Sequence, residues 1–160
     1  MIPTHKHEKG QMLYAEGGIV YVTTEAKTYF LPARHFIWIP AGIAHSIQPN
    51  SQSVMMRNLY FPVEMNEDSF YGTEGIYPIN DLLLQMMLFT NRWNGNLKKG
   101  SRNYSIALAI KAILPEICLT NLPLSLPSRK DIRLIKIIYY LDKNLGDTRT
   151  FSDFADRSGL

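Results

Sequence analysis

Cysteine is almost missing from this chain: Cys118 is the one thiol in 160 residues, so no internal disulfide is available. Its neighbours Ile117 and Leu119 are apolar, and it reads as a reduced, packed thiol of a cytoplasmic protein. Charge is scarce too, at 19% of residues against 46% apolar, which excludes disorder throughout. Long apolar runs are also lacking. The richest, residues 82–89, is broken by Gln85 and falls well short of the ~18 residues a membrane span needs. No signal-type apolar segment follows Met1. No phosphate-cradling glycine loop is present, and no Ser-His-Asp or Cys-His arrangement stands out around His35, Ser46 or Cys118. What remains suits one compact domain with an appendage.

The apolar residues fall into two regimes. Segments 12–14, 19–24, 28–31, 36–39 and 53–61 are rich in β-branched and aromatic residues. Gly17-Gly18, Pro32, Pro40-Ala-Gly42 and Pro49-Asn-Ser punctuate them. Short strands at this spacing predict an antiparallel sandwich or barrel. Residues 75–79 add one more short strand. Beyond them, Asn80 offers an N-cap for a helix through Leu82, Leu83, Met86, Met87 and Phe89, stopped at Trp93-Asn-Gly95. A second helix starts near Ser101, with Ile106, Ile110, Ile113 and Ile117 on one face and Pro115 near its end. Prolines make 122–128 an extended connector. Ser128 and Asp131 then open a helix carrying Ile132, Ile135, Ile138 and Tyr139, and a last short helix covers 151–157. A helix and a tight turn with nothing after them read as a cut. Residues 1–80 hold five Lys/Arg against seven Asp/Glu and residues 81–160 twelve against seven, so the second half is the basic one.

Chemistry concentrates in His5, His7, Gln11 and His45. On a strand, His5 and His7 share a face; His45 follows the Pro40–Gly42 bend on another strand. Three imidazoles and an amide oxygen form a donor set for Zn, Ni, Fe or Mn. The same residues could instead hydrogen-bond one another or a small ligand without metal. Trp38, in the run Phe36-Ile-Trp-Ile39, is core by composition.

His5-x-His7-x3-Gln11-x6-Gly18 and Pro40-x-Gly42-x2-His45 resemble the two cupin motifs. Gln11 replaces the usual glutamate, Arg34 stands where a glycine is expected, and Pro49 where an asparagine is usual. Together with Gly10-Gln-Met-Leu-Tyr-Ala15, Gly18-Ile-Val-Tyr-Val-Thr-Thr24 and Trp38-Ile-Pro-Ala-Gly-Ile-Ala-His45-Ser46, they are similar to the N-terminal domain of AraC-family transcriptional regulators. Residues 127–134 resemble the start of the regulators' DNA-binding half, and 151–160 the first helix and turn of its first helix-turn-helix.

The resemblance implies a mainly β chain with C-terminal helices. A cupin-type antiparallel β-barrel (double-stranded β-helix) spans 1–79, helical support and dimerisation 80–121, a linker 122–130, and a truncated helix-turn-helix 131–160. It implies a non-enzymatic regulator that senses a small-molecule effector, pairs as a homodimer and reads promoter DNA through a part lying beyond this fragment, which lacks the recognition helix. His5, His7, Gln11, Trp38 and His45 would line the barrel pocket, and His5, His7, Gln11 and His45 would bind any divalent metal. The competing expectation is a metal-dependent cupin enzyme, a dioxygenase or isomerase, using the same histidines.

Overall fold

Turn chemistry cuts the first eighty residues into strands, and alternation of side chains stacks those strands into two layers. The computed structural model describes residues 1–127. In chain order these form β1 (Ile2–His5), β2 (Gly10–Glu16), β3 (Ile19–Thr24), β4 (Lys27–Pro32), β5 (His35–Ile39), β6 (His45–Pro49), β7 (Met55–Phe61), β8 (Gly75–Pro78), α1 (Asp81–Phe89), α2 (Arg102–Ile117) and β9 (Ser125–Pro127). One sheet has the order β1-β6-β3-β4-β9 and the other β7-β2-β5-β8, every pairing antiparallel. Hydrogen bonding does not run continuously from one sheet into the other, so the expected barrel is a two-sheet sandwich. The mainly β chain with helices after it is as expected. Among the described residues no helix is long and apolar enough to cross a membrane.

Residue parity assigns the two faces of β2. Leu13 and Ala15 point between the sheets with Val20, Val22, Leu31, Ile37, Ile39 and Ile47. Met12 and Tyr14 point the other way, with Phe36, Trp38 and Phe61, onto a second core closed by Leu83 and Met87 of α1 and Ile110 and Leu114 of α2. The four-stranded sheet is therefore buried on both faces, and β2 from Gly10 to Ala15 is buried without a break. At ~25 cal/mol per Å² of apolar surface, these two cores supply the main drive for folding.

Local signals fix the helices where the sequence places them. Asn80 Oδ1 accepts from Leu83 N at 2.8 Å, and Ser101 Oγ accepts from Tyr104 N at 3.2 Å. Pro115 falls in the last turn of α2, and Gly95 takes the left-handed conformation expected of it (φ 65°). Helix α1 stops earlier than its pattern suggests and runs into a 3-10 turn over Thr90–Arg92. Arg34 also sits in the left-handed region (φ 61°) between β4 and β5. Its N–H donates to Ala15 O and its carbonyl accepts from Ile79 N, so two hydrogen bonds hold an arginine where the motif prefers glycine.

The proline-rich connector is extended, as read, but it is not free. Leu122 bridges Ile76 of one sheet, and β9 pairs with β4 of the other, so residues 122–127 cross between the two sheets on the β8/β4 side. Proline is tolerated there because β9 is an edge strand. The helix beginning near Asp131, the short helix over 151–157 and the final turn lie outside the described residues.

Candidate functional site

His5 closes β1 and pairs directly with His45, the first residue of β6. The strand ends there, so His7 does not reach the site by simple alternation. It lies in the turn into β2, where its carbonyl accepts from Gly42 N at 2.8 Å. That bond docks the proline–glycine bend against the first motif and brings the segment carrying His45 to the segment carrying His5 and His7. The three rings meet with centroids 4.5 Å (His5–His45), 4.8 Å (His5–His7) and 5.6 Å (His7–His45) apart. One ring nitrogen from each lies within 4.8 Å of the others. Zinc–nitrogen bonds of about 2.0–2.1 Å would place ligand nitrogens ~3.3 Å apart, so modest ring rotation completes such a site.

The hydrogen bonds around the rings set their tautomers. His5 Nδ1 lies 2.7 Å from Pro3 O and His45 Nδ1 2.9 Å from Ile43 O. A carbonyl oxygen only accepts, so each Nδ1 carries the proton and each Nε2 the lone pair, as metal ligation requires. Burial holds the His45 imidazole below its ordinary value; the Ile43 carbonyl opposes this, and His5 and His7 add to the lowering. Burial, then the neighbouring His5, lowers His7. Both rings are thus biased to the neutral, ligating form.

Gln11, on the inter-sheet face of β2 with Leu13 and Ala15, is buried. Its Nε2 donates to Asn58 Oδ1 at 2.7 Å. Its Oε1, His7 Nε2 and His45 Nε2 are all buried with no hydrogen-bond partner. Among the described residues only Trp93 Nε1 shares that condition, so three of the four unpartnered buried side-chain polar atoms belong to residues of the two motifs. Such atoms are costly to leave unsatisfied, and here they are two lone-pair nitrogens and an amide oxygen. The donor set fits a divalent transition metal.

Trp38 lies elsewhere. It belongs to the core between the four-stranded sheet and the helices, where its Nε1 donates to Tyr71 O at 3.0 Å. Adjacent Ile39, paired with Gln11, faces the sandwich interior instead, so alternation carries the indole to the opposite side of β5 from the imidazoles. The sequence reading missed Asn58 and Tyr60. Both lie on β7, opposite Leu13 and Gln11, and the Tyr60 ring meets His7 edge-on at 4.6 Å. It also missed Glu74, whose carboxylate accepts from the Tyr29 hydroxyl and whose charge favours protonation of His45. A period-two pattern within 53–61 puts Asn58 and Tyr60 on one face, but only the β2–β7 register turns that face toward Gln11.

Residues 1–87 match the family model described as AraC-like ligand binding domain. Over 46 residues the chain is 39% identical to the HTH-type transcriptional regulator NimR of Escherichia coli K12, a stretch covering 29% of this chain and 17% of that protein. Structures of ToxT from Vibrio cholerae are similar at TM-score 0.44 and 8% identity, over 98% of this chain and 66% of that one. A ToxT structure bound to (E)-4-(8-methylnaphthalen-1-yl)but-3-enoic acid aligns at TM-score 0.41 and 9% identity, over 99% of this chain and 68% of that one. The chain thus spans a sixth of NimR and about two-thirds of ToxT.

Proposed function

Because the chain belongs to the AraC-like ligand-binding domain family, we propose that it is the effector-sensing part of an AraC-type transcription regulator, with His5, His7, Gln11 and His45 at the centre of its sensing site. The observation that carries this reading is the meeting of His5, His7 and His45, ligand nitrogens within 4.8 Å of one another, with His7 Nε2, His45 Nε2 and Gln11 Oε1 all buried and unpartnered. These residues would hold a divalent transition metal of the Zn, Ni, Fe or Mn group. When bound, the metal supplies a Lewis-acidic point that an effector can ligate. The protein's own part is to fix tautomers through Pro3 and Ile43 and to orient the Gln11 amide through Asn58.

A regulatory role fits the helices better than an enzymatic one. Leu82, Leu88, Phe89 and Leu108 are exposed on α1 and α2, apolar surface that supports a homodimer contact. The connector over 122–127, stitched to both sheets, leads toward residues 128–160 and, beyond them, the part through which the longer protein would engage promoter DNA. Effector binding acts on that half only if it favours one arrangement of sensor and connector over another.

The test is elemental analysis and thermal melting of the metal-free chain reloaded with Zn²⁺, Ni²⁺, Mn²⁺ or Fe²⁺. One equivalent should bind, and metal at about 100 times its Kd should add roughly 2.7 kcal/mol of stability. His45→Ala should abolish both effects. Substoichiometric metal with no stabilisation by any of the four ions would end the metal reading. Turnover of a bound small molecule would favour the enzyme.

A further inference from the structure

The charge of the donor set restricts what can complete it. An imidazole ligates a metal only as a neutral donor, His5 and His45 each set Nδ1 against a backbone carbonyl, and Gln11 contributes a neutral amide. Among the described residues, the cluster of close-set ligand groups at this end contains histidines alone and no carboxylate. The acidic group that acts on His45, Glu74, is engaged by the Tyr29 hydroxyl and stands outside that cluster.

A glutamate at position 11 would cancel one unit of a bound dication's charge. Glutamine cancels none. Asn58 accepts from its Nε2, which leaves the uncharged Oε1 as the buried atom without a partner. A dication held by four neutral donors, at least three of them with atoms withdrawn from water, keeps its whole charge within the site. Tetrahedral or octahedral metals held by three or four protein ligands still accept an outside ligand, either by expansion or at positions already open. The group that occupies such a position most favourably is one that carries the missing negative charge.

We infer, on the metal-holding reading proposed above, that the effector class of this site is a small organic anion that coordinates through a carboxylate-type oxygen, and not a neutral sugar, polyol or amide. Gln11 is then the specificity-determining residue, because its neutrality reserves the counter-charge for the effector. Tyr60, exposed at its surface side, meets His7 edge-on and is the aromatic neighbour such a group would meet beside the rings.

Cobalt(II) gives both propositions one optical readout. The metal-free chain is loaded with Co²⁺ and its visible ligand-field spectrum recorded. Acetate and benzoate are then titrated against their neutral isosteres, acetamide and benzamide. The carboxylates should change the spectrum saturably and the amides should not. In Gln11→Glu the Asn58 amide can turn to donate, so metal should be retained while carboxylate affinity falls roughly tenfold or more, one unit of site charge being lost. Should that variant fail to fold, the acid–amide comparison on the unaltered chain still decides the matter. No cobalt spectrum would overturn the metal reading and this inference with it. A normal cobalt spectrum with no response to carboxylates, or equal responses to acids and amides, would overturn this inference alone.

Discussion

Gly10 is the position at which a single methyl group should do most damage. It opens β2 opposite Phe61, and a Cβ built there would lie 2.3 Å from Trp38 Cζ2 and 2.6 Å from Cη2. The indole cannot retreat cheaply. It is fully buried, its Nε1 is tied to Tyr71 O, and the rings of Phe61, Phe70 and Tyr71 surround it with centroids 5.4–6.2 Å away. Overpacking of this kind costs about 1–3 kcal/mol. Moving the ring also strains or breaks a buried hydrogen bond worth about 1–3 kcal/mol when its donor is left unpaired. Against these stands a gain of about 0.4–1 kcal/mol from the stiffer unfolded chain. Gly10→Ala should therefore lose about 2–4 kcal/mol, lowering Tm by roughly 5–15 °C for a chain of this size. Gly72→Ala is the control, because nothing lies within 4 Å of its would-be Cβ. Thermal melts followed by circular dichroism should show the control within about 0.5 kcal/mol of the parent. If Gly10→Ala melts with the control, the fixed-indole account is wrong.

Lys111→Ala should cost about 2–3 kcal/mol in urea titration, since Lys111 Nζ donates to Pro62 O and to the Glu67 carboxylate, each at 2.6 Å, from a buried position on α2. The lower end applies because Glu67 is 31% exposed, and an unchanged midpoint would show the pair idle. Burial pushes the Cys118 thiol from 9.0 up to about 12. The folded state thus disfavours the thiolate, and this group's contribution to stability is complete below about pH 9 and is lost as pH rises toward 12. At pH 8 alkylation by iodoacetamide should follow unfolding, and rapid labelling of the native chain would refute it.

The fold was legible where local chemistry decides it. Asn80 and Ser101 cap helices at the residues expected of them, and the turn formers around Gly17, Pro32 and Gly42 separate strands as read. The run Met-Leu-Tyr-Ala in β2 breaks the usual alternation, and that break is the trace of a sheet buried on both faces. Long-range partnership was not legible. Nothing local in Lys111 announces that its ammonium meets Glu67, 44 positions earlier. The connector reads as free because its prolines forbid helix, yet proline does not forbid an edge strand, and the Tyr29–Ser125 pairing depends on β4 having an open side. The imidazoles were legible as a set because motif spacing survives folding. Trp38 was misplaced for the opposite reason: it sits in a run of alternating faces, and parity sends it away from Gln11's side.

That parity also decides which core each neighbour on β2 meets. Gly10 and Gln11 are neighbours whose substituents face opposite cores: Gln11 toward Asn58 and the imidazole end, Gly10 toward Trp38 and the layer closed by α1 and α2. One strand thickness separates them, and the Gly10–Trp38 approach leaves no free space on the helix side. A close-packed wall of this kind does not absorb a displacement; it passes the displacement on. The next contacts in that direction run from Trp38 to the Tyr71 carbonyl, and from the Tyr71 hydroxyl to Lys111 O on α2 at 2.7 Å. Indole, phenol and helix backbone thus form one rigid series behind the strand that carries Gln11. The glycine at position 10 keeps that series tight, so its conformational tolerance matters less there than its lack of a side chain.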